Sequence, residues 1–271
     1  MSESMAGPRL LEGRKALVLG VVNEFSIAWG IALNLASHGA TVGFAYQPNP
    51  KVERRCRTCV EQLEPRPEFV EPCDVGKDDD IARLMARWKE TYGRLDILVH
   101  SIAYAPSTAF GIPFSRTSRD DFRAALDISA YSLVALCREA APLMTPGGSV
   151  LAMTYHGSQA YFPNYNVMAV AKAALECSVR YLAAELGGGQ REDAARIRVN
   201  AISAGPMPTL ASKAVGNVDR MVEHWSSKSC LGRSVDQAEV GRTAVYLASD
   251  LSSGVTGEVL YVDAGYRFVG Y

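Results

Sequence analysis

The sequence predicts an α/β fold: a single doubly wound parallel sheet of the Rossmann type, with about seven strands. Short runs rich in Val, Ile and Leu alternate with longer segments in which apolar residues recur at helical spacing. The short runs, such as residues 16–19 and 97–99, are almost continuously apolar. That pattern is typical of strands that helices cover on both faces of a sheet.

The elements follow one another in βαβ order along the chain. The first strand ends at a glycine, and Ser26 is a suitable N-cap for the first helix. The glycines at 187–189 predict an exposed loop after a long helix, and a strand follows soon after. No internal repeat or low-complexity linker separates the elements, so we expect residues 1–271 to form one domain. The predicted strands are 15–20, 41–46, 68–72, 95–101, 148–155, 196–203 and 258–262, and the predicted helices are 26–37, 51–63, 77–92, 119–144, 164–186 and 236–249.

Residues 205–233 differ from the rest of the chain, because Met, Pro, Ala, Ser and Lys dominate and the periodicity is weak. A long segment of this kind is often a lid or binding loop, so we expect a helical substrate-binding segment here. An ordinary surface excursion is the alternative. The segment also carries four cations, which either attract an acidic partner or form a solvated rim of charges: Lys213, Arg220, Lys228 and Arg233.

Composition excludes several classes of protein. The chain of 271 residues is 48% hydrophobic and 21% charged, close to an average soluble domain. Its 28 Lys and Arg against 29 Asp and Glu give a net charge of −1, unlike a dedicated nucleic-acid binder. No apolar run suffices to span a membrane, and the first residues lack a secretory pattern. Six cysteines are too few for a disulfide scaffold, so we expect reduced thiols in a cytoplasmic protein.

The first strand–helix turn resembles a phosphate-binding turn. Gly20 permits close backbone approach, and the Ser26 hydroxyl could serve either the helix or a phosphate. Gly30 would let the helix pack closely on the sheet. A plain helix cap with a turn glycine is the alternative. After the second strand, Gln47 is neutral and no cation occupies residues 47–50, which favours NADH over NADPH.

A tyrosine and a lysine stand seven positions apart at Tyr165 and Lys172, just under two helical turns. On one face of a helix, the phenol could meet the substrate while the ammonium group meets a cofactor ribose and makes the phenol more acidic. A core tyrosine and a solvated lysine are the alternative. The apolar neighbours of Lys172 argue against it, because a buried lysine needs a partner. Tyr155 ends a strand at the edge where ligands of parallel sheets bind.

At these residues the sequence resembles the short-chain dehydrogenase superfamily and, within it, the bacterial NADH-linked enoyl-(acyl carrier protein) reductases. Ordinary members carry a tyrosine, three residues and a lysine, with a serine upstream, whereas Ala169 and Ala152 stand at those lysine and serine positions. The enoyl reductase pattern has nine residues between two tyrosines and six before the lysine, as in Tyr155, Tyr165 and Lys172. Further blocks that resemble the family are Gly20 with 26–28 and Gly30, 46–47, 73–75, 99–102, 127–129 with 131–132, 163–168 and 198–206.

The resemblance implies an NADH-dependent oxidoreductase that reduces enoyl thioesters in fatty acid biosynthesis. Tyr165 would hydrogen-bond the thioester oxygen, Tyr155 would be a second active-site phenol, and Lys172 would bind the nicotinamide ribose. Ala105 would lie at the thioester. The implied partners are acyl carrier protein and further copies of this chain in a homotetramer, with no nucleic acid or membrane. Its implied cofactor-binding residues are Gly20, Ser26, Ile27, Gln47, Asp74, Val75, Ile102, Lys172, Met207, Pro208, Thr209, Leu210 and Ala211.

Two rival functions remain open at this point. A carbonyl-reducing dehydrogenase would use the same fold, but the ordinary tyrosine–lysine spacing is missing. A non-catalytic dinucleotide sensor would be expected to have lost Tyr165 or Lys172. We expect no metal site, because the Cys56–Cys59 pair has no second pair and the four histidines lack ligand spacing. His100 is expected to be a hydrogen-bonded structural residue.

Overall fold

The sheet has seven strands in the order β3-β2-β1-β4-β5-β6-β7, and every neighbouring pair is parallel. The structure is a computed structural model and describes residues 9–189, 196–209 and 218–269. The doubly wound fold predicted from the sequence is thereby confirmed. The strands are β1 (Lys15–Leu19), β2 (Thr41–Tyr46), β3 (Val70–Pro72), β4 (Leu95–His100), β5 (Met144–Thr154), β6 (Arg198–Ala204) and β7 (Val259–Val262).

Helices cover both faces of this sheet. Alternate residues of the buried strands point to opposite faces, so Val18 and Leu19 enter different hydrophobic clusters. One cluster lies beneath the first two helices and the last, and the other beneath the third, fifth and sixth. The helices are α1 (Ile27–Ser37), α2 (Pro50–Val60), α3 (Asp78–Tyr92), α4 (Arg119–Leu126), α5 (Ser132–Ala140), α6 (Asn166–Gly187), α7 (Val218–Lys228) and α8 (Gln237–Ala248).

The single helix predicted for residues 119–144 is wrong. A π-helical turn, Asp127–Tyr131, separates α4 from α5, and α5 ends at Ala140 before a 3-10 turn that contains Pro142. Within this segment the Ser132 hydroxyl donates to Ile128 O of the π turn, and it also lies 2.7 Å from His100 Nε2 of β4. Proline then stops the helix, and β5 begins at Met144.

Gly30 packs against a helix and not, as predicted, against the sheet. A Cβ added there would lie 2.6 Å from Gln237 Cβ of α8. From the other side, a Cβ on Gly241 would lie 2.6 Å from Gly30 O. The two glycines therefore allow α1 and α8 to touch through their backbones.

Part of the segment 205–233 is helical, as expected: α7 places Trp225 in a buried position, and the Trp225 indole donates to Asp263 O.

None of the helices in the described ranges is long and apolar enough to cross a membrane.

Arg198 stabilises the carboxyl end of α8 from inside the protein. It is 7% exposed and donates to Leu247 O at 2.7 Å, to Ser249 O and to Ser252 Oγ. We expect Arg198→Met to lower the free energy of unfolding by about 3 kcal/mol, because buried carbonyl groups lose a charged donor. Urea denaturation at one fixed protein concentration measures this. Arg55→Met on the exposed face of α2 is the control, expected to change stability by less than about 0.5 kcal/mol; equal losses in both variants would contradict the prediction.

Candidate active site

The candidate site lies at the carboxyl ends of the strands, where β1 and β4 are neighbours and the strand order reverses. Open parallel sheets bind their ligands at this switch point. The turns that follow the two strands touch, since a Cβ on Gly20 would lie 2.0 Å from Ser101 O. Gly20 also has φ of +105°, so both its conformation and its surroundings require glycine.

Ser26 stabilises the turn itself. It stands at the N-cap of α1, but its hydroxyl makes no bond to the helix. Instead the Ser26 oxygen accepts from Val22 N at 3.0 Å and from Asn23 N at 3.1 Å. The Ser26 side chain thus fixes the turn between Gly20 and α1. As a result, no side chain caps the first backbone amides of α1.

The residues expected to bind a dinucleotide follow successive strands at this same edge. Gln47 is exposed directly after β2, and Asp74 and Val75 are partly buried shortly after β3. Asp74 accepts from Gly76 N and pairs with Lys77 Nζ at 3.2 Å.

The later strands continue the same edge. Ile102 and Ala105 follow β4, and Ile27 opens α1; all three are partly buried. After β6, Met207 is buried, Pro208 exposed and Thr209 partly buried. The structure places every one of these residues near a carboxyl strand end, whereas Leu210 and Ala211 lie outside the described residues.

Lys172 is buried at the same edge. Lys172 is only 4% exposed, and its Nζ donates to Met153 O at 2.7 Å and to Ile102 O at 3.4 Å. The ammonium group thus bridges the ends of β4 and β5. Burial lowers the pKa of Lys172 to about 8, against a smaller opposite effect of the Glu176 charge. The expectation that this lysine must find partners is met.

Tyr165 and Tyr155 pack edge to face, with ring centroids 5.0 Å apart. Tyr165 is the residue before α6, and Tyr155 follows β5, so both stand at the sheet edge. The Tyr155 hydroxyl is buried and has no hydrogen-bond partner among the described residues. Phe162 and Trp225 extend this aromatic cluster, at 5.1 and 6.0 Å from the Tyr155 ring. Trp225 was not foreseen, because α7 showed only weak periodicity in the sequence.

The expectation that Lys172 would make Tyr165 more acidic is wrong for this structure. Burial raises the pKa of Tyr165, and the negative charge of Glu176 raises it further. Burial also raises the pKa of Tyr155. Both phenols are therefore neutral at physiological pH, which suits a hydrogen-bond donor.

Two polar groups behind the site were missed. Ser129, in the π turn, accepts from Tyr104 N and donates to Tyr104 O, both at 2.9 Å, and so fixes the loop that carries Ile102 and Ala105. Glu176 is a buried carboxylate one turn after Lys172. A charged residue at this spacing in an apolar helix was a usable sequence signal, whereas nothing in the sequence indicated the π turn.

His100 is a structural residue, as predicted. It is fully buried, and burial lowers its pKa to about 3, so the imidazole is neutral. Among the described residues no cluster of His, Cys, Asp and Glu could hold a metal ion. Cys56 and Cys59 are free and buried, and burial raises their pKa values to about 12 and about 11, which makes both poor thiolates.

Gly157 sets the position of the two phenols. A Cβ there would lie 2.6 Å from Tyr165 Cδ1 and 3.0 Å from Tyr155 Cδ1. We expect Gly157→Ala to displace the Tyr165 ring and lower kcat about tenfold while the Kd of NADH stays the same. Steady-state kinetics and fluorescence titration test this. Gly254→Ala, with nothing within 4 Å of the added methyl, is the matched control; loss of NADH affinity in the Gly157 variant would contradict the prediction.

The strand order, the glycine turn after β1 and the tyrosines and lysine at the carboxyl edge define a short-chain dehydrogenase or reductase. Comparison with known proteins narrows the class. Residues 20–267 match the family model described as enoyl-(acyl carrier protein) reductase. The chain belongs to the enoyl-(acyl carrier protein) reductase family.

Individual relatives agree with this assignment. The chain is 50% identical over 262 residues to an enoyl-(acyl carrier protein) reductase (NADH) of a Nostoc species, which covers 96% of this chain and 98% of the relative. The crystal structure of the Aquifex aeolicus reductase (NADH) superposes with a TM-score of 0.90 at 44% identity, over 97% of this chain and 99% of the other. The Bacillus cereus enoyl-acyl carrier protein reductase, solved with NADP+ and an indole naphthyridinone, gives 0.92 at 44% identity, with the same coverage of 97% and 99%.

Proposed function

We propose that this chain is an enoyl-(acyl carrier protein) reductase that uses NADH to reduce the trans-2 double bond of enoyl thioesters in fatty acid biosynthesis. The observation that carries the proposal is the grouping of Tyr155, Tyr165 and Lys172 at the carboxyl edge of β4 and β5. Family membership and the names of the relatives, which specify NADH, support it.

The described residues fit a dinucleotide. The Gly20 turn offers a bare backbone that any Cβ would obstruct, and the first amides of α1 lack a capping side chain, as an anion-binding helix start requires. In the proposal, Gly20, Ser26 and Ile27 form the pyrophosphate turn. Further contacts are assigned to Gln47, Asp74, Val75, Ile102, Met207, Pro208, Thr209, Leu210 and Ala211, and the ribose contact to Lys172. When bound, NADH supplies the hydride that adds to the β-carbon of the substrate.

Tyr165 is assigned to the oxygen of the thioester, which gains negative charge as the β-carbon is reduced. A neutral phenol donates a hydrogen bond to that oxygen, and the raised pKa of Tyr165 keeps the phenol neutral. The resulting enolate then takes a proton at the α-carbon. Tyr155 is assigned as a second phenol of the site, and Ala105 as a contact of the thioester.

The experiment that tests the function compares four assays. Purified protein is given NADH or NADPH with a crotonyl thioester or an acetoacetyl thioester, and cofactor absorbance is followed. We expect cofactor oxidation to be fastest with NADH and the crotonyl thioester. Preference for the acetoacetyl thioester would favour the rival carbonyl-reducing dehydrogenase, and no oxidation in any assay would favour a dinucleotide sensor.

For the partners, the proposal includes acyl carrier protein, which delivers the substrate, and a homotetramer of this chain. Large apolar side chains exposed at the end of the π turn, on α6, after α7 and beyond β7 support assembly: Tyr131, Tyr181, Leu231 and Phe268 are 46%, 76%, 64% and 69% exposed. Light scattering of the eluted protein measures the assembly, and a monomer mass would contradict it.

Positively charged side chains near α7 could attract an acidic acyl carrier protein. Arg233 is paired with Glu239, at 2.6 Å, and is less suited to attract an acidic carrier protein than the exposed Arg220 and Lys228. Lys213 lies outside the described residues.

We further propose one catalytic domain over residues 1–271 and a cytoplasmic location. The six cysteines, all free thiols, agree with that location.

A further inference from the structure

Glu176 is a buried carboxylate to which the proposed function gives no part. It is 4% exposed, on α6. Two hydroxyl groups converge on Oε1, because Thr154 Oγ1 and Ser158 Oγ both donate at 2.6 Å, and Gln159 Nε2 donates to Oε2 at 3.4 Å. Bonds of this length are typical of a hydroxyl that donates to an ionised carboxylate. A charge this deeply buried requires an opposite charge as well as donors.

The buried cation nearest along the same helix is Lys172. It lies one turn before Glu176 on the same helix, and its Nζ bonds to Met153 O, which is next to Thr154 in β5. The two side chains are thus held by adjacent residues of one strand. Glu176 favours the charged form of Lys172, whereas burial opposes it. His100, from β4, faces Lys172, and the other titratable groups that face Glu176 are Tyr165, His156 and Tyr261.

We propose that Glu176 is a positioning residue of the reductase site: its carboxylate is the internal counter-charge that keeps the Lys172 ammonium charged and in place at the edge where the dinucleotide binds. This inference rests on the proposed function, in which Lys172 holds the nicotinamide ribose. Glu176 acts through Lys172 and touches neither substrate nor cofactor.

The test is the pH dependence of NADH binding, measured by fluorescence titration without substrate. In the wild-type protein we expect affinity to fall as pH rises through about 8, where Lys172 loses its proton. Glu176→Gln keeps the shape of the side chain but removes its charge, so the midpoint should move down by about one pH unit. Glu176→Asp keeps the charge and should stay near the wild-type midpoint. Glu185→Gln, an exposed neutralisation on the same helix, is the matched control and should not move it.

Two outcomes would overturn the inference alone: an unchanged midpoint in Glu176→Gln, or equal shifts in Glu176→Gln and Glu176→Asp, which would indicate packing. A wild-type profile without any midpoint would overturn both the inference and the ribose-binding role of Lys172.

If Glu176→Gln folds poorly, a double-mutant cycle of the free energy of unfolding tests the inference instead. The combination Glu176→Gln with Lys172→Met should then lose less stability than the sum of the single changes, because it leaves no unpaired buried charge. Strictly additive losses would overturn the inference.

Discussion

Tyr165→Phe is expected to lower kcat by about 10²-fold while the Kd of NADH changes little. Removal of one donor from an oxyanion site costs about this factor, because the charge that develops on the thioester oxygen loses its partner. The ring itself packs on Tyr155, and phenylalanine retains that contact. Single-turnover reduction of a crotonyl thioester separates the chemical step from cofactor binding.

Tyr92→Phe is the control for this variant. Tyr92 also has a buried hydroxyl without a partner among the described residues, but its carbonyl accepts from Lys15 at the opposite end of the sheet. Its removal should leave kcat unchanged. A Tyr165→Phe enzyme as fast as the wild type would remove Tyr165 from the mechanism.

Lys172→Met is expected to raise the Kd of NADH about 30-fold, with a smaller effect on the chemical step. Truncation of a charged hydrogen-bond donor in a buried site costs about 2 kcal/mol, which is this factor in affinity. The wild-type protein should bind NADH best below pH 8 and more weakly above it, because burial lowers the pKa of Lys172 to about 8. The methionine variant should show no such dependence.

Lys89→Met, on the exposed side of α3, is the matched control and should bind NADH as the wild type does. The two active-site variants also test each other. Equal losses of NADH affinity in Tyr165→Phe and Lys172→Met would contradict the separation of roles between the phenol and the ammonium group.

Local patterns in the sequence were sufficient for the sheet and for the principal groups of the site. The apolar runs predict the seven strands, and the spacing of Tyr165 and Lys172 predicts the helix that begins directly after Tyr165 and contains Lys172. Features that depend on contacts between distant segments were not predictable. The Ser132 contact next to the π turn is made by His100 of β4, and the packing of Gly30 depends on α8, more than 200 residues away.

The electrostatics of the site were the hardest part to foresee. Spacing alone suggests that Lys172 acidifies Tyr165, but burial and Glu176 act in the opposite direction. Glu176 itself is held by Thr154, Ser158 and Gln159, which belong to β5 and the loop after it. Its surroundings therefore exist only once the sheet and α6 have come together.

The most direct test of the central claim is the fate of the hydride. NADH that carries deuterium at both C4 positions is oxidised with a crotonyl thioester in ordinary water, and the product is analysed by NMR. The proposed mechanism predicts a butyryl thioester with one deuterium on the β-carbon and a solvent-derived proton on the α-carbon. Deuterium on the α-carbon, or transfer only to the carbonyl carbon of an acetoacetyl thioester, would contradict it.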